Sequence, residues 1–476
     1  MNLIGIDVGT TSLKAVCFDE NGVCLAETNI DYTLSTHGES VEFDPMEYVR
    51  ITKEAISEIR KTVPKIDAIS IDTQGETIIL TDEMGVPTMP AIVWLDNRAV
   101  KEAEEIEAHF GAETIWNVTG QAETTGGWPA CKILWVRRNL PEVWAKTKKV
   151  FLLEDWLLYS LSGEFVTEPT IQSSTIYLDI KKKDWWQEML DFIGLDRKML
   201  PKIYPSAAKV GSFEEAVVVT GALDQIAGAV GVGVVDENIV SEMTGTIMAI
   251  CVVKDHVPAF DPDSKIPCHL HAIDGKYVSL LWSSTAGMAL KWYKNNFAET
   301  LSFKDLDALA EKAGPGAEGV TFLPYLCGST MPVYNPDAKG SFWGMTLAHG
   351  KGHFARAILE SVAFTLKDDL ECIGADCDEI RITGGGASSP LWAQIKADVV
   401  GKNLSTLMEK ESACLGTAMM AGVGIGIFPS LEEACKKIVR TKKTYSPSGT
   451  DYTVPYKQYK KLDSMLNDPT NKIVTK

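Results

Sequence analysis

Positive charge is scarce in this sequence: 46 lysines and arginines stand against 64 aspartates and glutamates, a formal net charge of −18. A general nucleic-acid binder or a binder of anionic membranes needs a basic face, so both classes drop out. A small phosphorylated ligand needs only a few local donors and stays open. Also lacking is any uninterrupted apolar run of about 18 residues, the length a membrane-spanning helix requires. The opening MNLIGIDVGTTSLKAVCFD has no basic leader and carries an acid at position 7, so neither a signal nor a transit peptide is expected. The 10 cysteines include no CxxC pair and no zinc spacing, and reduced thiols in a cytoplasm are the expectation. His269-Cys-His271 has no further partners at ligand spacing and is not expected to hold a metal. No GxxxxGK[ST] occurs, which excludes a Walker-type P-loop. Gly231-Val-Gly233 and Gly422-Val-Gly424 open no complete GxGxxG fingerprint, and close packing of helix on sheet explains them more simply.

What the sequence does have is length and a globular balance. Its 476 residues, 45% hydrophobic and 23% charged, imply two large domains. The first thirty residues predict a β-meander: LIGIDV, the turn GTTS, LKAVCFD, the turn ENG, then VCLAETNIDY. Helical periodicity follows at 45–62, a strand at 66–72, a polar helix at 98–110, mainly helix over 129–163, and a strand again at 216–220. NIVSEMTGTIMAICVVKD (238–255) then repeats the strand, Gly-Thr turn, strand pattern of the start. Gly9-Thr10 and Gly245-Thr246 lie close to half the chain apart, which indicates a duplicated domain rather than a solenoid. Further helices are expected at 304–313, 351–374 and 390–401, and IRITG (380–384) reads as a strand. Two α/β domains around a cleft follow, with the boundary near 236–241 and a polar, peripheral C-terminal stretch at 446–476.

Three glycine- and hydroxyl-rich turns are candidates for one phosphorylated ligand: Asp7-Val-Gly-Thr-Thr-Ser12, Thr244-Gly-Thr246, and Gly384-Gly-Gly-Ala-Ser-Ser389 before a helix near Pro390. Glycine permits close backbone approach, hydroxyls donate to oxygens, and a helix start offers free N–H groups. A second anomaly is Asp224 with Gln225 inside AVVVTGALDQIAGAVGVGVV (216–235), one carboxylate among otherwise uncharged residues. Such a charge is costly unless paired or used. A helix starting around 222–224 would make Asp224 either a helix cap or a group presented to the cleft.

These motifs resemble those of the FGGY carbohydrate kinases. GIDVGTTSLKAVCFDENG is similar to that family's first phosphate motif, GSFWGMTLAHGKGHFARAILE (340–360) to its second signature, and TGGGASSPLW to its adenosine motif. FLPYLCGSTMPVYNPDAKG (322–340) is close to the corresponding stretch of xylulokinases. The resemblance runs from residue 3 to about 428 and implies two duplicated actin-like or hexokinase-like (ribonuclease H-like) ATPase domains around a central cleft, over 1–239 and 240–476. It implies ATP-dependent transfer of the γ-phosphoryl group to a small sugar, with a ketopentose such as xylulose the leading acceptor. Asp224, in TGALDQIAGAVGVG, matches the segment that supplies the base. Thr10, Thr11, Ser12 and Lys14 are implied at the terminal phosphates, met by Gly245 and Thr246 from the other domain. Asp7 is implied for the water shell of Mg²⁺. Gly287, Gly385, Gly386 and Ser389 fall on the adenosine side, and Lys291 is as readily a solvated lysine as a nucleotide contact.

SIDTQGETIILTD aligns with the family's substrate loop. Xylulokinases usually show a Met-His pair there; this chain has Gly75-Glu76, sharing the acid with glycerol kinases but lacking their arginine. Gly75, Glu76, Asp224 and Gln225 are the expected acceptor contacts. Trp94, Asp96 and Arg98 match a motif that shapes the pocket, and Trp128 reads more readily as a packed aromatic. The alternatives are another polyol kinase, glycerol- or erythritol-like, and an actin- or heat-shock-type ATPase using water as acceptor. Expected partners are a small sugar or polyol and a second copy in a homodimer; the expected compartment is the cytoplasm.

Overall fold

The structure, a computed structural model, describes residues 1–262, 266–331 and 334–466. Residues 332 and 333 of FLPYLCGSTMPVYNPDAKG, and 467–476 of the C-terminal stretch, lie outside the described residues.

The opening meander forms β1 (Asn2–Val8), β2 (Ser12–Asp19) and β3 (Cys24–Asp31). β1 buries Leu3, Ile4, Ile6 and Val8, the near-continuous apolar run of a strand covered on both faces. Next comes α1 (Pro45–Thr62), capped by Asp44, whose carboxylate accepts the Met46 N–H at 2.8 Å, with Pro45 in the first turn. Its Tyr48, Thr52, Ala55, Ile56 and Ile59 recur at helical spacing and are buried against the sheet. β4 (Ala68–Thr73), β5 (Lys209–Phe213) and β6 (Ala216–Leu223) complete a six-stranded sheet in the order β5-β6-β4-β1-β2-β3. β1, β4 and β6 are parallel. They therefore end on one edge, where Asp7 lies beside Asp72 and Asp72 beside Ala222. The helical reading of 129–163 misses one strand: Lys149–Leu152 pairs with Ile78–Thr81 in a separate five-stranded sheet, between the helices Pro129–Asn139 and Leu153–Ser162.

The second half repeats the plan. β7 (Ile239–Thr244), β8 (Met248–Lys254), β9 (Cys268–Leu270), β10 (Tyr277–Ser283), β11 (Glu379–Thr383), β12 (Asn403–Leu407) and β13 (Thr441–Tyr445) form a seven-stranded sheet ordered β9-β10-β8-β7-β11-β12-β13. β7 answers β1: antiparallel to the next strand, parallel to the strand that follows a long excursion. The chain is thus an α/β fold with the same sheet built twice. The described part of the polar C-terminal stretch is less peripheral than its composition predicts. Thr453–Leu466 is a helix whose Tyr459 and Leu462 are buried in the second core.

One helix breaks the sequence order. The helix that opens with Asp224, α2 (Asp224–Gly231), lies against α3 (Ser412–Gly424), a late segment whose Cys414, Leu415, Ala418 and Met419 belong to the first half's core. Any side chain at Gly231 would overlap the Ser412 carbonyl, one at Gly416 the Ala227 carbonyl, and one at Gly5 the Cys414 carbonyl. Gly231 therefore serves helix-on-helix contact, where its sequence setting suggested helix on sheet. At Gly422 a Cβ would overlap the Phe428 ring and stand 3.1 Å from Leu3 of β1.

Candidate active site

β6 delivers Asp224 to the edge where the parallel strands end. Leu223 is the cap position of α2 and Asp224 the first helical residue, so the carboxylate is not a helix cap. Its Oδ1 accepts the Gln225 N–H at 2.6 Å, and Gln225 itself is half-buried. The elbow is fixed from behind: Thr170 accepts the Leu223 N–H and Glu154 the Gly221 N–H, each at 2.8 Å. Burial, then the charge of Asp7, push Asp224 up to about 8; the Gln225 N–H pulls it back, and the charge of Glu76 adds the smallest push. A carboxyl tuned to that range can both hold and take up a proton near neutral pH.

Asp7 sits at the end of β1, half-buried, and burial raises it above the ordinary carboxylate range while Asp72 and Lys14 hold it back. Asp72 is fully buried; burial and the charge of Asp7 raise it strongly. It accepts the Thr417 hydroxyl from α3 and lies beside the Asp7 carboxyl, whose charge and hydrogen bond both raise it. Among the described residues no three His, Cys, Asp or Glu side chains are grouped to hold a metal alone. A magnesium ion that keeps most of its water needs only one or two carboxylates plus phosphate oxygens, and Asp7 at the cleft edge fits that need.

The first glycine turn closes through the Gly9 N–H donating to the Ser12 carbonyl at 3.0 Å. Thr10 is engaged on both sides: its hydroxyl accepts the Trp94 indole N–H at 3.0 Å and donates to Gln74 at 3.3 Å. Thr11 is exposed and Ser12 half-buried. Lys14, opposite Asp7 in the hairpin, is ion-paired with Glu411 at 2.7 Å. The matching turn in the second half docks on the helix Gly287–Phe297, whose Met288 N–H donates to the Thr246 carbonyl at 3.1 Å. Gly287 must be glycine, since a Cβ there would overlap the Gly245 carbonyl. Thr244 is held by a buried network in which Lys396 donates to its hydroxyl at 2.7 Å and to Glu242 at 2.8 Å, and the Thr244 hydroxyl donates to Glu242.

Gly245, Thr246, Gly287, Gly385, Gly386 and Ser389 line one cavity of about 880 Å³, a volume in the range of small-molecule sites. Lys291 also lines it. Ser389 has a structural duty as well, capping the helix Pro390–Val400 by accepting the Trp392 N–H at 3.1 Å. Gly386 is backed by Thr244, 2.7 Å from where a Cβ would stand.

Gly75 and Glu76 form a turn just after β4. Glu76 takes the left-handed conformation, φ 55°, rare for a residue with a side chain. A Cβ on Gly75 would stand 2.9 Å from the Ser174 hydroxyl and 3.0 Å from Leu223, the residue before Asp224. Arg98 is committed to Asp96 and Glu42, at 2.7 and 2.6 Å. Trp128 donates to the Glu123 carbonyl and packs on the core, as its sequence setting suggested. His269 and His271 are buried, bonded to Ser173 and the Val234 carbonyl, and burial brings both down to about 4. All ten cysteines are free thiols, and among the described residues no helix is long and apolar enough to cross a membrane.

Asp7 and Glu76 thus both lie near enough to Asp224 for their charges to act on it, while Gly245, Thr246, Gly287, Gly385, Gly386 and Ser389 gather in a cavity lined by second-half residues. Asp72, Lys132, Glu242 and Lys396 were not singled out. Asp72 alone carried a signal: one acid inside the apolar strand AISIDT, the same anomaly that marked Asp224.

Residues 2–235 match the N-terminal domain, and residues 275–425 the C-terminal domain, of the FGGY family of carbohydrate kinases. The xylulose kinase of Lactococcus lactis is 31% identical over 461 residues, 93% of this chain and 91% of that protein. The gluconokinase of Bacillus subtilis is 30% identical over 471 residues, 92% and 90%. Among solved structures, a ligand-bound xylulose kinase from Lactobacillus acidophilus superposes with a TM-score of 0.89 at 26% identity, covering 97% of this chain and 98% of that one.

Proposed function

This chain belongs to the FGGY family of carbohydrate kinases and is an ATP-dependent sugar kinase, and we propose that its acceptor is an uncharged ketopentose such as xylulose, with Asp224 as the base. What carries this reading is the place of Asp224: β6 brings it to the edge where β1 ends in Asp7, the phosphate side in this reading, and its neighbour Leu223 lies against the Gly75-Glu76 turn, the acceptor side. A base for phosphoryl transfer has to stand between those two ends, so that it takes the hydroxyl proton while aiming the oxygen at the γ-phosphorus.

In this reading Gly245, Thr246 and the first glycine turn hold the terminal phosphates, and Gly385 and Gly386 let the nucleotide approach the backbone. Mg²⁺, held through water by Asp7, supplies charge neutralisation of the phosphates. Asp72, beside Asp7 at the strand ends, orients it. Glu76 accepts hydroxyl hydrogen bonds, and its carboxylate disfavours an aldonate such as gluconate by like-charge repulsion. The ten free thiols support a reducing compartment, the cytoplasm. A second reading, another neutral polyol, rests on Glu76 standing where xylulokinases usually carry Met-His.

A coupled assay of ADP release over ketopentoses, aldoses, polyols and gluconate tests the proposal. Xylulose or a neighbouring ketopentose is expected to give the highest kcat/KM, with gluconate at least about tenfold poorer. Preferred turnover of glycerol or erythritol would move the assignment to the second reading, and ADP release independent of any acceptor would overturn both.

A further inference from the structure

Lys132 is a fully buried lysine on the helix Pro129–Asn139, in a stretch whose charges otherwise read as solvated. A buried ammonium has to place its donors. It donates to the Glu76 carbonyl at 3.0 Å and to the Val93 carbonyl at 2.9 Å. These carbonyls belong to different segments. One is the left-handed turn at Gly75-Glu76; the other precedes Trp94, whose indole reaches Thr10 of the first phosphate turn. A left-handed non-glycine residue persists only where its surroundings hold it. At Glu76 the Ser174 hydroxyl lies against the carboxyl, and Lys132 grips the carbonyl.

We propose that Lys132 is a positioning residue for the acceptor, pinning the backbone of Glu76 and Val93 so that the Glu76 carboxylate is presented to sugar hydroxyls in a fixed place. The inference rests on the acceptor-side role given to Glu76 above. The electrostatics agree with the geometry. Burial raises Glu76 and lowers Lys132, and each charge draws the other back toward ionisation. Lys132 thereby draws Glu76, which burial pushes up to about 7, back toward its ionised form. Lys132 neither lines the nucleotide cavity nor hydrogen-bonds to Asp224, so the first effect of its loss falls on the Glu76 turn.

The test is Lys132→Met in the full chain, with the acceptor that the wild type uses best. The acceptor KM is expected to rise at least about tenfold while the dissociation constant for ADP, read by calorimetry, stays within about twofold. Glu76→Gln should shift the same constant, and the double variant should be no worse than the poorer single one, because one residue acts through the other. Should Lys132→Met fail to fold, Lys132→Gln, whose amide can still donate to one carbonyl, takes its place with the same expected readout. An unmoved acceptor KM, acceptor and nucleotide constants that worsen together, or additive effects in the double variant would each overturn the proposal. The wild type separates the two readings. If it phosphorylates no acceptor, the acceptor assignment falls; if it is active and the variants do not shift the acceptor KM, only the role of Lys132 falls.

Discussion

Replacing Asp224 by asparagine should abolish activity and make the protein more stable, and the gain should depend on pH. Asp224 titrates at about 8 in the folded chain against an ordinary 3.8. Between those values the folded chain holds a proton that the unfolded chain releases, so this residue makes stability fall as pH rises through the window. At ~1.4 kcal/mol for each tenfold change in proton affinity, the penalty reaches about 4 kcal/mol at neutral pH. Water in the cleft screens part of it, leaving about 2–4 kcal/mol for asparagine to recover. Urea unfolding of both proteins without ligands, from about pH 4 to about pH 9, reads this directly. The two curves should coincide near the acid end, diverge steadily, and run parallel above about pH 8, while turnover of the variant drops by roughly 10²–10⁴. A stability difference that stays flat across the range would refute the argument that burial and neighbouring charge set this carboxyl, and retained turnover would remove it as the base.

Gly287→Ala should weaken ADP binding at least about tenfold by calorimetry with the acceptor KM unchanged, because the new methyl overlaps the Gly245 carbonyl. Lys396→Met strips the partner from Glu242, a pair only 2% and 0% exposed, and should cost about 3–5 kcal/mol in urea unfolding; adding Glu242→Met should restore most of it. Asp7→Asn should raise the Mg²⁺ concentration for half-maximal rate by about tenfold or more, measured by titration in the coupled assay, while leaving the urea midpoint of the metal-free protein unchanged or higher.

The fold was largely legible because its signals are local. The meander of 2–31 shows as short apolar runs parted by the turns GTTS and ENG, α1 announces itself by Asp44-Pro45 and its apolar spacing, and the Gly-Thr turns betray the duplication. The strand Lys149–Leu152 escaped because it is short, and its pairing with Ile78–Thr81 is a long-range contact that periodicity does not encode. The isolated acid marked Asp224 and the glycine run marked Gly386, while Gly287 came from the family resemblance. Lys132 and Lys396 did not stand out, since a lysine in WPACKILWVRRN or LWAQIKADVV looks like the solvated edge of a helix. Only the packing shows that both stems run inward to backbone carbonyls or a buried acid. The commitments of Thr10 and Lys14, to Trp94 and Glu411, likewise depend on partners remote in the chain.

The glycine seam between α2 and α3 has a mechanical consequence. The helix that carries Asp224 rests, backbone on backbone, upon a segment translated almost two hundred residues later, and that segment also supplies the Thr417 hydroxyl to Asp72. A polypeptide severed between the two sheets would leave the earlier piece with an open furrow over β1 and an unbraced Asp224. The edge of the first half that carries Asp224 is therefore finished only when the second half has been made.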